Sequence, residues 1–76
     1  MGELLHLFFT DEYNPYVGRT LRDALAAERD AYLTFNRFNV KIDRSAGLVV
    51  VEDELDPTAE ETIEIGEFER ALSSQP

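Results

Sequence analysis

F-N-V-K-I-D-R-S-A-G-L-V-V-V-E-D, Phe38 to Asp53, decides the fold. Phe38, Val40 and Ile42 alternate with Asn39, Lys41 and Asp43, the period-two pattern of a half-buried strand. Asp43-Arg44-Ser45-Ala46-Gly47 follows as a loop, with Gly47 where a positive φ is needed. Leu48 to Asp53 returns as the partner strand. The stretch therefore predicts an antiparallel hairpin closed by Arg44 to Gly47. Ala31 to Arg37, A-Y-L-T-F-N-R, extends the first arm upstream. Leu33 and Phe35 are out of phase with Phe38, Val40 and Ile42, and a bulge near Asn36-Arg37 reconciles them.

Working upstream, Thr20-Leu21-Arg22-Asp23 supplies a helix start. Thr20 can cap the first amides, and Asp23 suits the positive first turn. Leu21, Ala24 and Leu25 continue at helical spacing, so a helix is expected over 19–30. Asp11 to Gly18 reads as a loop around Asn14-Pro15, where Pro15 pushes Asn14 out of helix space. Glu3 to Phe9, E-L-L-H-L-F-F, reads as a strand with Leu5, Leu7 and Phe9 on one face.

Downstream, Asp56 to Glu61 reads as a loop or a single helical turn. Thr62 to Ile65 alternates as a short strand that Gly66 ends, with Ile63 and Ile65 inward and Glu64 outward. Phe68, Ala71 and Leu72 share one face of a helix expected over 66–73, and residues 73–76 read as a frayed tail. The predicted order is β-α-β-β-β-α, a single α+β domain over 1–76 with a mostly antiparallel sheet.

Composition narrows the function classes. Seventy-six residues allow one core, and 43% hydrophobic residues suffice to build it. With no Cys, disulfides and thiolate metal sites are excluded, and a reducing cytoplasm is the expected location. No apolar run approaches a membrane span, and Met1 to His6 lacks the basic region of a signal peptide. His6 is the only histidine, and no Ser or Cys is placed by the sequence to act with it. There is no phosphate-binding loop and no nucleophile elbow. No catalytic activity and no cofactor are expected.

The charge is distributed unevenly. Residues 1–51 hold seven acids and six bases; residues 52–76 hold nine acids and Arg70 alone, so the net −9 resides almost entirely at the C-terminal end. That balance opposes direct nucleic-acid binding and anionic membrane surfaces. It suits a basic protein surface, because focused charge steers association. The candidate contact residues are Glu52, Asp53, Glu54, Asp56, Glu60, Glu61 and Glu64. Tyr13 and Tyr16, loop tyrosines around Pro15, join them as anchors. Glu52 and Glu54 share one strand face and Asp53 takes the other, with no base nearby in sequence to tune one carboxylate against another. Asp53, Asp56 and Glu61 are all expected to be exposed.

Two other readings stand beside this one. Counting from Asp56, D-P-T-A-E-E-T-I-E-I-G-E-F resembles the second half of a calcium-binding EF-hand loop, with Glu67 at the twelfth position. Glu61 stands where that loop needs Gly, Thr58 replaces a ligand, and Pro57 stiffens the second position. Alternatively, the domain is a small accessory unit that self-associates through a sheet edge, as a homodimer, with acids guarding against aggregation.

V-V-V-E-D-E-L-D-P-T-A-E-E-T-I-E-I-G-E-F-E-R-A-L, Val49 to Leu72, resembles the C-terminal part of small bacterial immunity proteins that neutralise polymorphic or contact-dependent inhibition toxins. Their pattern is a strand, an acidic loop, a strand and an I-x-x-x-E-F helix. The resemblance covers about a third of the chain and implies a cytoplasmic inhibitor of a nuclease-like toxin, without activity of its own.

Overall fold

A computed structural model describes residues 2–76; Met1 and the side chain of Pro57 lie outside the described residues. Four strands pair in chain order as an antiparallel meander: β1 (Ala31–Thr34), β2 (Phe38–Asp43), β3 (Leu48–Asp53) and β4 (Asp56–Glu64). Two helices and a π-helical segment precede the sheet: α1 (Glu3–Leu7), Phe8–Glu12 and α2 (Pro15–Ala26). A third helix, α3 (Ile65–Ser73), follows it. The domain is α+β, as the alternation in the sequence implies.

The hairpin has the predicted loop and second strand, and its first arm is Phe38 to Asp43 alone, with Phe38 opposite Asp53 and Asp43 opposite Leu48. Gly47 has φ 71°, the left-handed conformation anticipated for it. The Asp43 carboxylate holds the loop by accepting bonds from the Ser45 hydroxyl at 2.9 Å and the Ala46 amide at 3.2 Å. Those two donors keep its pKa below the ordinary range. The Gly47 carbonyl then accepts the first amide of α3, from Ile65, at 3.0 Å.

Register assigns the two faces of the sheet. Phe38, Val40, Ile42, Val49 and Val51 point to the helical side and are fully buried. Against them pack Leu5, Phe8 and Phe9, then Val17, Leu21 and Leu25 from α2, and Phe68 and Leu72 from α3. Phe8 meets Phe9 and Phe38 edge-on, with ring centroids 5.2 Å and 5.6 Å apart. All three helices cover this one face.

Five expectations need correction. Glu3 to Phe9 is helical: Leu5, Phe8 and Phe9 are the buried positions, spaced i, i+3, i+4. A short apolar run fits either period, and packing on the sheet selects the helix. The second helix begins at Pro15 instead of 19, because Asn14 is the cap: its Oδ1 accepts the Val17 amide at 2.9 Å and Pro15 takes the first helical position. Thr20 lies inside the helix and donates to the Tyr16 carbonyl. The helix stops at Ala26, and Glu28 closes it with φ 56°. The anticipated bulge at Asn36-Arg37 is a full reversal between β1 and β2, closed by the Phe35 amide on the Phe38 carbonyl at 2.9 Å. Asp56 to Glu61 is strand, paired to β3 with a shift at Glu52/Asp53. The tail is bonded back onto the domain: the Ser74 and Gln75 amides donate to Ala71 and Leu72, and the Tyr13 hydroxyl donates to the Pro76 carbonyl at 3.0 Å.

Candidate functional site

The sheet's second face carries the charge. Register sets Tyr32 and Thr34 of β1, Asn39, Lys41 and Asp43 of β2, Leu48, Val50 and Glu52 of β3, and Glu60, Thr62 and Glu64 of β4 on this side. Tyr32, Lys41, Glu60, Thr62 and Glu64 are exposed. Lys41 is the only base among these residues, against four acids. Glu52 lies directly opposite Glu60, a like-charge pair across two strands, which is destabilising in an antiparallel sheet.

Around Glu52 the face becomes structured. The Tyr32 hydroxyl donates to Glu52 Oε1 at 2.6 Å. That bond and the adjacent carboxylates of Glu52 and Glu54 hold the phenol pKa above its usual range. Asn39 lies between them, only 7% exposed, and its Nδ2 donates to Glu54 Oε2. Tyr32, Asn39, Glu52, Asp53 and Glu54 line a shallow cleft of about 190 Å³.

The predicted contact residues separate into two groups. Glu52, Glu60 and Glu64 share the uncovered face, and Glu54 and Asp56 flank the exposed Leu55 at the β3–β4 turn. Asp56 orders the start of β4 by accepting the Thr58 hydroxyl at 2.7 Å. Asp53 and Glu61 belong elsewhere. Asp53 points to the helical side and is 7% exposed, contrary to the expectation of exposure. Its Oδ2 accepts Arg37 Nη2 at 3.1 Å and its Oδ1 accepts the Leu55 amide at 2.9 Å. Arg37 is the tuning base that the local sequence lacks.

Glu61 also faces inward, and is half-buried. Its carboxylate accepts the Gly2 amide at 2.5 Å and the Leu5 amide at 3.1 Å. A strand residue thus does for α1 what a capping side chain normally does locally. Bases serve the opposite helix ends: Arg44 donates to the Leu25 carbonyl of α2, and Arg22 to the Leu72 carbonyl of α3 at 3.1 Å. Arg22, Arg37 and Arg44 are therefore engaged within the fold, which leaves the uncovered face more one-sided than the composition implies.

The tyrosines lie away from the acids' strand face. The Tyr13 hydroxyl accepts Arg22 Nη2 at 3.3 Å as well as donating to Pro76. Tyr16 is 69% exposed on the first turn of α2, beside a cleft of about 570 Å³ shared with Thr34 and Asn36. The exposed rings and apolar tips near the acids are instead Tyr32 and Leu55, 57% and 79% exposed. Tyr32 was detectable only through its pairing with β2, which sets it opposite Lys41 on the outer face.

Asp56 to Glu64 forms a strand and Glu67 lies in α3, so the residues of the EF-hand-like pattern do not form a loop. Among the described residues, no three His, Cys, Asp or Glu side chains converge as a metal site. No helix among them is long and apolar enough to cross a membrane. No protein-family model matches the chain, and neither a curated protein nor a solved structure is significantly similar to it.

Proposed function

We propose that this protein is a non-catalytic acidic module that binds and occludes a basic protein surface. Glu52, Glu60 and Glu64, with Glu54 and Asp56 at the turn, take the place of phosphates against the Lys and Arg side chains of a nucleic-acid-binding or nuclease partner. The resemblance of Val49 to Leu72 to small immunity proteins points the same way, toward an inhibitor acting in a bacterial cytoplasm. The observation that carries the reading is Glu52 opposite Glu60 on a face left without helices. The pair is kept against its own repulsion, and a cationic surface laid over it relieves that repulsion. Asp53 and Glu61 stay outside the contact because their carboxylates are engaged within the fold.

The test is affinity capture from the native host, with the wild type and a Glu52→Gln/Glu60→Gln/Glu64→Gln variant, at low and raised salt. The expected result is retention of basic proteins that weakens with salt and drops at least about tenfold in the variant, a small loss for three close charge pairs. Equal retention and an equal salt slope for both proteins would remove the reading.

A second reading is self-association through β1. It is supported by the position of β1 at the sheet edge and by its sequence, A-Y-L-T, which has neither charge nor Pro to block pairing. Sedimentation across a concentration range tests it, and a monomer throughout would exclude it.

A further inference from the structure

The cleft on the outer face has a chemistry more specific than its charge. Asn39 Nδ2 donates to Glu54. A carboxylate only accepts, so the amide nitrogen must face Glu54 and Oδ1 must face away from it. Asn39 is 7% exposed, and among the described residues its Oδ1 has no donor. A buried acceptor left without a donor is unfavourable. The other donor in the cleft, the Tyr32 hydroxyl, is spent on Glu52 Oε1. What remains is three acceptors: Asn39 Oδ1, Glu52 Oε2 and Glu54 Oε1. Beside them stands the ring of Tyr32, more than half exposed.

The geometry points to a seat for one arginine side chain of the partner protein, formed by Tyr32, Asn39, Glu52 and Glu54. This rests on the reading of the outer face as a surface for a basic protein, and specifies its anchor. A guanidinium brings five donors in a plane, matches carboxylates two bonds at a time, and stacks on an aromatic face. It can meet both carboxylates and supply Oδ1 with its missing donor. A lysine ammonium has three donors and is held more strongly by water, so it fits the same acceptors less well. Oδ1 is covered in the free protein, so entry requires a flanking side chain to swing aside. Tyr32 is exposed and has that freedom, while Glu54 keeps its bond to the Asn39 amide nitrogen.

The experiment is a titration of isotope-labelled protein with acetyl-Gly-Arg-Gly-amide, and separately with the Lys analogue, at low salt, followed by NMR. The expected result is saturable shifts at the Asn39 side-chain amide and the Tyr32 ring, with several-fold tighter binding of the Arg peptide. Tyr32→Leu should weaken it about two- to fivefold through the lost stacking. Glu54→Gln should weaken it too; both side chains are exposed, so both variants should keep the wild-type spectrum elsewhere. Equal, diffuse shifts from both peptides across Glu60 and Glu64, indifferent to Tyr32→Leu, would overturn the seat while leaving the acidic face as a binding surface. No shifts from either peptide would overturn both.

Discussion

Arg37 Nη2 lies 3.1 Å from Asp53 Oδ2, and this bond joins the two turns at one end of the sheet. Asp53 ends β3, and Arg37 sits in the reversal between β1 and β2. The Glu54 amide reinforces the junction by donating to the Arg37 carbonyl at 2.7 Å. Glu12, from the π-helical segment, accepts the Arg37 amide at 3.0 Å, and the Arg37 guanidinium lies 5.5 Å from the Phe38 ring centroid. One arginine thus gathers the N-terminal helices and both hairpins.

This pair makes stability pH-dependent. The Arg37 guanidinium, and then the Leu55 amide, hold the Asp53 carboxyl below the ordinary carboxylate range. A lowered folded-state pKa means stability that is fully present above the unfolded value, about 3.9, and lost as pH falls through the folded value. The urea midpoint should therefore fall on acidification below about pH 4. Asp53→Asn should lower the midpoint at neutral pH and flatten that acid limb. An acid limb unchanged in the variant would assign the dependence to other carboxylates.

Glu28 is the one non-glycine among the described residues with a positive φ, at 56°. It closes α2 by donating its amide to the Leu25 carbonyl at 3.2 Å. An L side chain in that conformation costs about 1 kcal/mol relative to glycine. Glu28→Gly should raise stability by about that amount, read as a higher urea midpoint at unchanged slope.

Glu61→Ala should cost about 1 kcal/mol, the typical loss of a capping side chain. The loss should be local as well as global: amide exchange at Leu5 should accelerate more than exchange in β2 and β3. Uniform acceleration would mean that α1 and the sheet open together.

Glu60→Gln should stabilise the fold by a few tenths of a kcal/mol by relieving the repulsion with Glu52. The same change should weaken capture of a basic partner. Gain in stability with loss of binding would mark the Glu52–Glu60 pair as a functional cost; gain in both, or loss in both, would not.

The central hairpin was legible because its signals are local. Alternation from Phe38 to Asp43 and the glycine at position 47 lie within one hairpin, and no distant contact competes with them. The β1–β2 turn was not legible. Phe35-Asn36-Arg37-Phe38 contains neither Gly nor Pro, and its reversal is held by Glu12 and Asp53, 25 and 16 residues from Arg37. The first part of β4, Asp56 to Glu61, was hidden for a related reason: Ala59, Glu60 and Glu61 favour helix, and pairing with β3 overrides that preference. For the candidate surface, the alternation that sends Glu52 outward and Asp53 inward could be read directly. The exposure of Asp53 could not, because a burying partner leaves no trace in the residues beside it.

The bonds that Glu61 accepts from Gly2 and Leu5 have a temporal consequence. The Gly2 and Leu5 amides lie 59 and 56 residues away from their acceptor. Helix α1 has only five residues, too few to persist alone in water. On the ribosome its residues emerge before β4, and so before the carboxylate that completes them has been made. The nascent chain carries the Gly2 and Leu5 amides without their acceptor until β4 has been synthesised and paired. Closure of that long loop comes late in folding. Helix α1 is thus made well before the residue that caps it, and it reaches its native form only once β4 is in place.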